Sequence, residues 1–200
     1  MRIGRFAAVL ATCAAASSAF VPAASATPAP ASSEAGILHA LVTAPGLSEK
    51  AHAQLSSRRA SVCYEAYVQN TGWQPWVCDG AVAGTTGQSL RMEALSIVTS
   101  GTHGMCANAH VQNIGWQGQV CASDGRALTV GTTGQSLRME ALTLQPGKGQ
   151  VCANAHVQNI GWQGMVCGSE VTVGTTGQSL RMEAIQITVS EGRQSPADGS

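Results

Sequence analysis

Charge is what this chain has least of. Only 11% of its 200 residues are charged, and 11 basic residues balance 11 acidic ones. Nucleic-acid binding requires a concentrated positive field, so that class is excluded. Beyond the first 26 positions there is no run of about 18 apolar residues, so no membrane span is expected in the mature chain. No cysteines stand in a C-x-x-C spacing, which removes the usual zinc site. An enzyme places a nucleophile, an acid–base pair or a metal once, in a pocket. No such single constellation occurs, and the sequence reads as non-catalytic, with no cofactor and no metal.

What the chain has instead is repetition. YVQNTGWQ at residues 67–74 recurs as HVQNIGWQ at 110–117 and again at 156–163. GTTGQSLRMEA follows each copy, at 84–94, 131–141 and 174–184. Trp73, Trp116 and Trp162 are therefore 43 and 46 residues apart, a period that marks one supersecondary unit per repeat. Three units span about 61–103, 104–149 and 150–190, and form one domain.

The flanks carry an address. Residues 1–26 read as a secretory signal: Arg2 and Arg5 start it, residues 6–21 are small and apolar, and Ala24-Ser25-Ala26 is an A-x-A cleavage site. A lipoprotein reading at Cys13 is weaker, because Thr12 is too bulky before it. Cleavage leaves 9 basic and 11 acidic residues, of which the repeats hold 5 and 7. Residues 27–60 read as a linker and weakly helical spacer, with helical patterns at 34–43 and 48–56. Residues 191–200 read as a disordered tail. The expected localisation is extracellular.

Each repeat holds one cysteine pair 15 residues apart: Cys63/Cys78, Cys106/Cys121 and Cys152/Cys167. An even count at fixed spacing in an exported chain implies disulfides. Six cysteines allow fifteen connectivities, and the repeat symmetry favours the three bonds within repeats. Alternation supplies the geometry. Ala107, Ala109 and Val111 point one way along a strand, and Cys106, Asn108, His110 and Gln112 the other. Asn113-Ile114-Gly115 is a hairpin connection. The midpoint of each cysteine pair falls inside that turn, so the two cysteines face one another on one hairpin.

Continuing the alternation back from Cys121 puts Gln117 and Gln119 on the cysteine face. Trp116, Gly118 and Val120 then fall on the apolar face. Trp73, Trp116 and Trp162 are accordingly assigned to the core. The polar outer face supplies the candidate ligand groups, since amides donate and accept together. They are Tyr67, Gln69 and Gln74 in repeat 1 and Asn108, His110, Gln112 and Gln117 in repeat 2. Asn154, His156, Gln158 and Gln163 are their counterparts in repeat 3. Arg91/Glu93, Arg138/Glu140 and Arg181/Glu183 fit a cross-strand ion-pair network. The alternation slips at Ala94-Leu95, Ala141-Leu142 and Ala184-Ile185, which predicts a bulge or a strand that changes sheets. Only the connector before GTTG varies in length, which marks a surface loop.

These phrases closely resemble the clostridial hydrophobic W (ChW) repeat, over about residues 61–190. The matching elements are HVQNIGWQ, the following GTTGQSL, and RMEA with its apolar tail. Tyr67 in place of histidine, Pro75-Trp76 and the cysteine pairs depart from the pattern. The resemblance implies an exported bacterial surface-binding or adhesion module without catalytic residues.

The fold class expected is all-β: a closed, pseudo-threefold domain of three antiparallel units, β-prism-like, with a β-trefoil as the alternative. Three units close a ring, and no atypical capping repeats are present. The partner expected is extracellular glycan, recognised in a lectin-like way. The alternative is an envelope protein, in an adhesion or assembly role. An aromatic or basic surface cluster favours glycan, and an apolar patch favours protein.

Overall fold

Small residues set the first strand of every unit. Met105, Ala107, Ala109 and Val111 are buried while Cys106, Asn108 and His110 alternate with them on the outer face. The structure, a computed structural model, describes residues 44–57 and 59–191. These lie in one compact unit. The signal segment, the pattern at 34–43 and residues 192–200 fall outside the described residues. No helix among the described residues is long and apolar enough to cross a membrane.

A helix, α1 (Glu49–Leu55), precedes the repeats. Repeat 1 holds β1 (Ser61–Val68), β2 (Gly72–Trp73), β3 (Val77–Cys78), β4 (Ala83–Gly84) and β5 (Met92–Ser100). Repeat 2 holds β6 (Met105–Val111), β7 (Gly115–Trp116), β8 (Val120–Ala122), β9 (Leu128–Gly131) and β10 (Met139–Pro146). Repeat 3 holds β11 (Gln150–Val157), β12 (Gly161–Trp162), β13 (Val166–Gly168), β14 (Val171–Gly174) and β15 (Met182–Ser190).

Three five-stranded antiparallel sheets result, each built on the first and last strands of one repeat. Each sheet borrows its fifth strand. β9 of repeat 2 pairs with β5 of repeat 1, β14 of repeat 3 with β10 of repeat 2, and β4 of repeat 1 with β15 of repeat 3. The exchange closes on itself, so the domain is a pseudo-threefold ring of sheets, prism-like and without the closed barrel of a trefoil. The inner faces meet in one core, where Met92, Met139 and Met182 are fully buried among Leu95, Leu142 and Ile185. Burying such side chains contributes about 1.5–3 kcal/mol each.

The borrowed strands lie in the connector expected to be a surface loop. β4 has two residues where β9 and β14 have four, and the extra length of repeat 2 lies in residues 123–127, ahead of β9. Each borrowed strand ends on the first glycine of GTTG, and here the backbones nearly touch. A Cβ on Gly131 (φ +93°) would lie 2.4 Å from the Glu93 carbonyl oxygen. Gly84 and Gly174 make the same approach to Glu183 and Glu140.

The short third seam has its own device. Two residue pairs join β4 to β15, and four join each of the other seams. Where Ile97 pairs with Leu128 and Leu144 with Val171, a phenol stands in. Tyr64 Oη accepts from the Ile187 N–H at 2.9 Å and donates to the Ala81 carbonyl. Repeats 2 and 3 carry Ala107 and Ala153 at that position. Burial pushes the Tyr64 hydroxyl up to about 12, so it stays a neutral donor.

The phase slip is a bulge, and the strand stays in its sheet. Tyr67 pairs with Ala94 and Val68 with Met92, leaving Glu93 as the extra residue. Glu140 and Glu183 are the extra residues of repeats 2 and 3.

Residues 48–56 are more than a spacer. Ser48 caps α1 by accepting from the Ala51 N–H at 3.3 Å. Ala51 and Leu55, four residues apart on one helix face, pack on Cys63, Trp76 and Val98. Gln54 Nε2 donates to Asp79 at 2.6 Å, and Asp79 also accepts from the Val62 N–H at 2.9 Å. The Trp76 that marks repeat 1 is thus the seat of α1.

Candidate functional site

The hairpin after the first strand is where the outer face becomes distinctive. Asn113 (φ 63°) and Gly115 (φ 80°) turn the chain in the left-handed region, and Asn70/Gly72 and Asn159/Gly161 do the same. The cysteines pair as expected: Cys63–Cys78, Cys106–Cys121 and Cys152–Cys167 are disulfides.

The tryptophans are not in the core. Trp73, Trp116 and Trp162 are 41%, 43% and 38% exposed. Residues paired across an antiparallel ladder project to the same face, and Trp116 pairs with His110, on the outer face. Four steps back along β6 from His110 to Cys106 match five steps forward from Trp116 to Cys121. One extra residue around Gly118 (φ 97°) therefore inverts the alternation between tryptophan and cysteine. Val120, expected inside with Trp116, is also exposed.

On the outer face each indole meets a second ring edge-on. Centroids are 5.4 Å apart for Tyr67–Trp73, 5.3 Å for His110–Trp116 and 5.3 Å for His156–Trp162, with interplanar angles of 78°, 82° and 83°. This is the favoured T-shaped arrangement, in which a positive ring edge meets a negative face.

Beneath each ring pair sits the bulged glutamate. Glu140 is buried, and Arg138 reaches its Oε1 with Nε at 2.9 Å and Nη2 at 2.7 Å. His110 Nδ1 lies 3.1 Å from Oε2, close enough for an electrostatic contact but without the alignment of a hydrogen bond. Arg181, Glu183 and His156 repeat this set, with His156 Nδ1 3.2 Å from Glu183 Oε2. In repeat 1 Arg91 holds Glu93 at 2.7 Å, and Tyr67 stands where the histidine would be. The arginine–glutamate pairs are local to one strand, across the bulge, and not the cross-strand network expected. The next repeat closes the floor from behind: the Thr132 N–H donates to the Glu93 carbonyl, Thr175 to Glu140 and Thr85 to Glu183, each at 2.8 Å.

The amides expected to bind ligand are mostly occupied. Gln117 accepts from the Gly131 N–H at 2.9 Å and donates to the Gly131 carbonyl at 3.3 Å. Gln163 does the same to Gly174 at 2.8 and 3.2 Å, and Gln74 accepts from the Gly84 N–H at 2.7 Å. These three side chains clamp the crossing strands. Asn154 accepts from the Gly164 N–H at 2.9 Å, whereas the Asn108 side-chain oxygen is buried without a hydrogen-bond partner. Gln69, Gln112 and Gln158 are half-buried beyond the ring pair, their backbone N–H groups bonded to Arg91, Arg138 and Arg181 carbonyls. Tyr67, His110 and His156 are the expected site residues that the structure places against the exposed indoles. Among the described residues, no three His, Cys, Asp or Glu side chains gather as a metal site.

The fold and this face define a class: a three-repeat β domain that presents the same aromatic corner once per sheet. The clostridial hydrophobic W family model matches the chain at residues 67–101, 110–145 and 156–191, which is more than half of it, and the chain belongs to that family. Cys63, Cys106 and Cys152 lie just ahead of the matched segments. No curated protein and no solved structure matches the chain.

Proposed function

We propose that this protein is an exported, non-catalytic module that binds an extracellular polymer through its three hairpin faces, with envelope glycan as the ligand class. One observation carries the reading: a half-exposed tryptophan, braced edge-on by Tyr67, His110 or His156, stands on the outer face of every repeat. An exposed π-face attracts the slightly positive C–H face of a sugar ring, and a braced indole loses little freedom on binding. The floor of buried glutamate and half-buried arginine holds that geometry. Export is supported by the three disulfides, which persist in oxidising compartments, and by the signal-like residues 1–26. Each site alone is weak, and a polymer that reaches two or three gains avidity.

A protein partner is the second reading. Ile114, Ile160, Met165 and Val166 are exposed around the hairpins of repeats 2 and 3, and an apolar patch suits an adhesion or assembly contact. Pull-down of the mature protein with isolated envelope polysaccharide and, separately, with envelope protein tests both. Retention by polysaccharide supports the glycan reading, retention by protein alone selects the second, and retention by neither overturns both.

A further inference from the structure

The three aromatic corners differ in one respect that bears on ligand charge. In repeat 3, Asn154 stands two residues before His156 on the outer face, and its side-chain oxygen is satisfied by the Gly164 N–H at 2.9 Å. Repeat 1 changes both members of this contact. Pro75 occupies the place of Gly164 and has no N–H to give. Glu65 occupies the place of Asn154, so a carboxyl stands where the local donor has been removed. Glu65 pairs across the sheet with Ser96, and no described residue offers it a cation. Half-buried without a charged partner, its carboxyl is pushed by desolvation up to about 7. Glu93, by contrast, is already held by Arg91.

Glu65 and Tyr67 are two positions apart on one strand face, a spacing of about 7 Å. Tyr67 meets Trp73 edge-on at 5.4 Å, and Trp73 is half exposed. The corner therefore offers two aromatic walls and one carboxyl without a partner, which is the chemistry that recognises an organic cation. Repeats 2 and 3 put a histidine and a neutral amide in those positions, and lack it.

We propose that the Glu65–Tyr67–Trp73 corner is a site for a quaternary ammonium group, so that repeat 1 differs in specificity from its two counterparts. This rests on the hairpin face being the ligand face, as proposed above, but assigns a different ligand. Calorimetric titration of the full chain at pH 8.5 with choline, and with its uncharged isostere 3,3-dimethylbutanol, tests it. We expect saturable choline binding at one site per chain and none by the isostere. Glu65→Gln and Tyr67→His should each weaken it about tenfold or more. Tyr67→His introduces the residue that repeats 2 and 3 already carry, and thermal melting confirms that both variants fold. Absent binding, three equal sites, equal binding of the isostere, or an unchanged Glu65→Gln affinity overturns the assignment. Polysaccharide retention without choline binding defeats this inference alone. Choline binding without polysaccharide retention defeats the glycan reading alone.

Discussion

Trp116 and His110 are directly paired across the hairpin of repeat 2, their rings 5.3 Å apart and 82° from parallel, on the face away from the core. That pairing decides how a tryptophan substitution behaves. A fully buried tryptophan lost to alanine costs about 3–5 kcal/mol. Trp116→Ala should cost only about 1 kcal/mol, the worth of an aromatic pair with partial burial. Denaturant titration of the variant checks this, and a loss above about 3 kcal/mol would return the indole to the core.

Glu140 is a different case, because it is buried under that ring pair with Arg138 folded onto it. Replacing it with alanine leaves the arginine without its acceptor and removes the carboxylate beside His110 Nδ1. Since Arg138 can partly reach water, the expected cost is about 1–3 kcal/mol, less than for a wholly buried pair. Melting of Glu140→Ala beside Arg138→Ala checks it. If neither variant shifts the melting temperature, the floor is not structural.

Tyr64 joins the first repeat to the third through Ile187 and Ala81. Tyr64→Phe keeps the ring but leaves an N–H and a carbonyl unpaired at the shortest seam. About 1–3 kcal/mol should be lost, and amide exchange at Ile187 should quicken. Unchanged exchange there would mean that the phenol does not serve the ladder.

Asp124 sets an acid limit on the link between repeats 1 and 2. Burial acts to raise its carboxyl, but the Gly104 N–H, the Thr102 and Thr99 hydroxyls and the His103 N–H outweigh it and hold it below the ordinary value. A depressed carboxyl contributes stability that is present above its unfolded pKa, about 3.9. That stability is lost as pH falls through the lower folded value. Asp124→Asn should therefore be less stable than wild type at pH 6, and the gap should narrow as the pH is lowered below about 3.9. A gap that does not change with acidification would contradict this.

Much of the hairpin was legible in the sequence. Ala107, Ala109 and Val111 against Cys106, Asn108 and His110 are enough to place the strand, and the cysteine midpoints are enough to pair the disulfides. One alternation carried through Gln117-Gly118-Gln119 places the tryptophans on the wrong face. A glycine inside a strand pattern is itself a sign of a bulge, and Gly118 was that sign. The exchange of β4, β9 and β14 was not legible at all, because pairing between repeats leaves no local period. The Gly131 approach to Glu93 became visible only with the backbones in place. The glutamine clamps followed the same rule: Gln117 and Gln163 look like free amides until the crossing glycines are beside them.

Retention on isolated envelope polysaccharide, measured for wild type and for Trp73, Trp116 and Trp162 changed to alanine singly and together, tests the central claim most directly. The three-site account predicts modest loss from each single change, loss far beyond additive from the triple change, and a triple variant that still melts cooperatively. A folded triple variant that binds polysaccharide as well as wild type would contradict it.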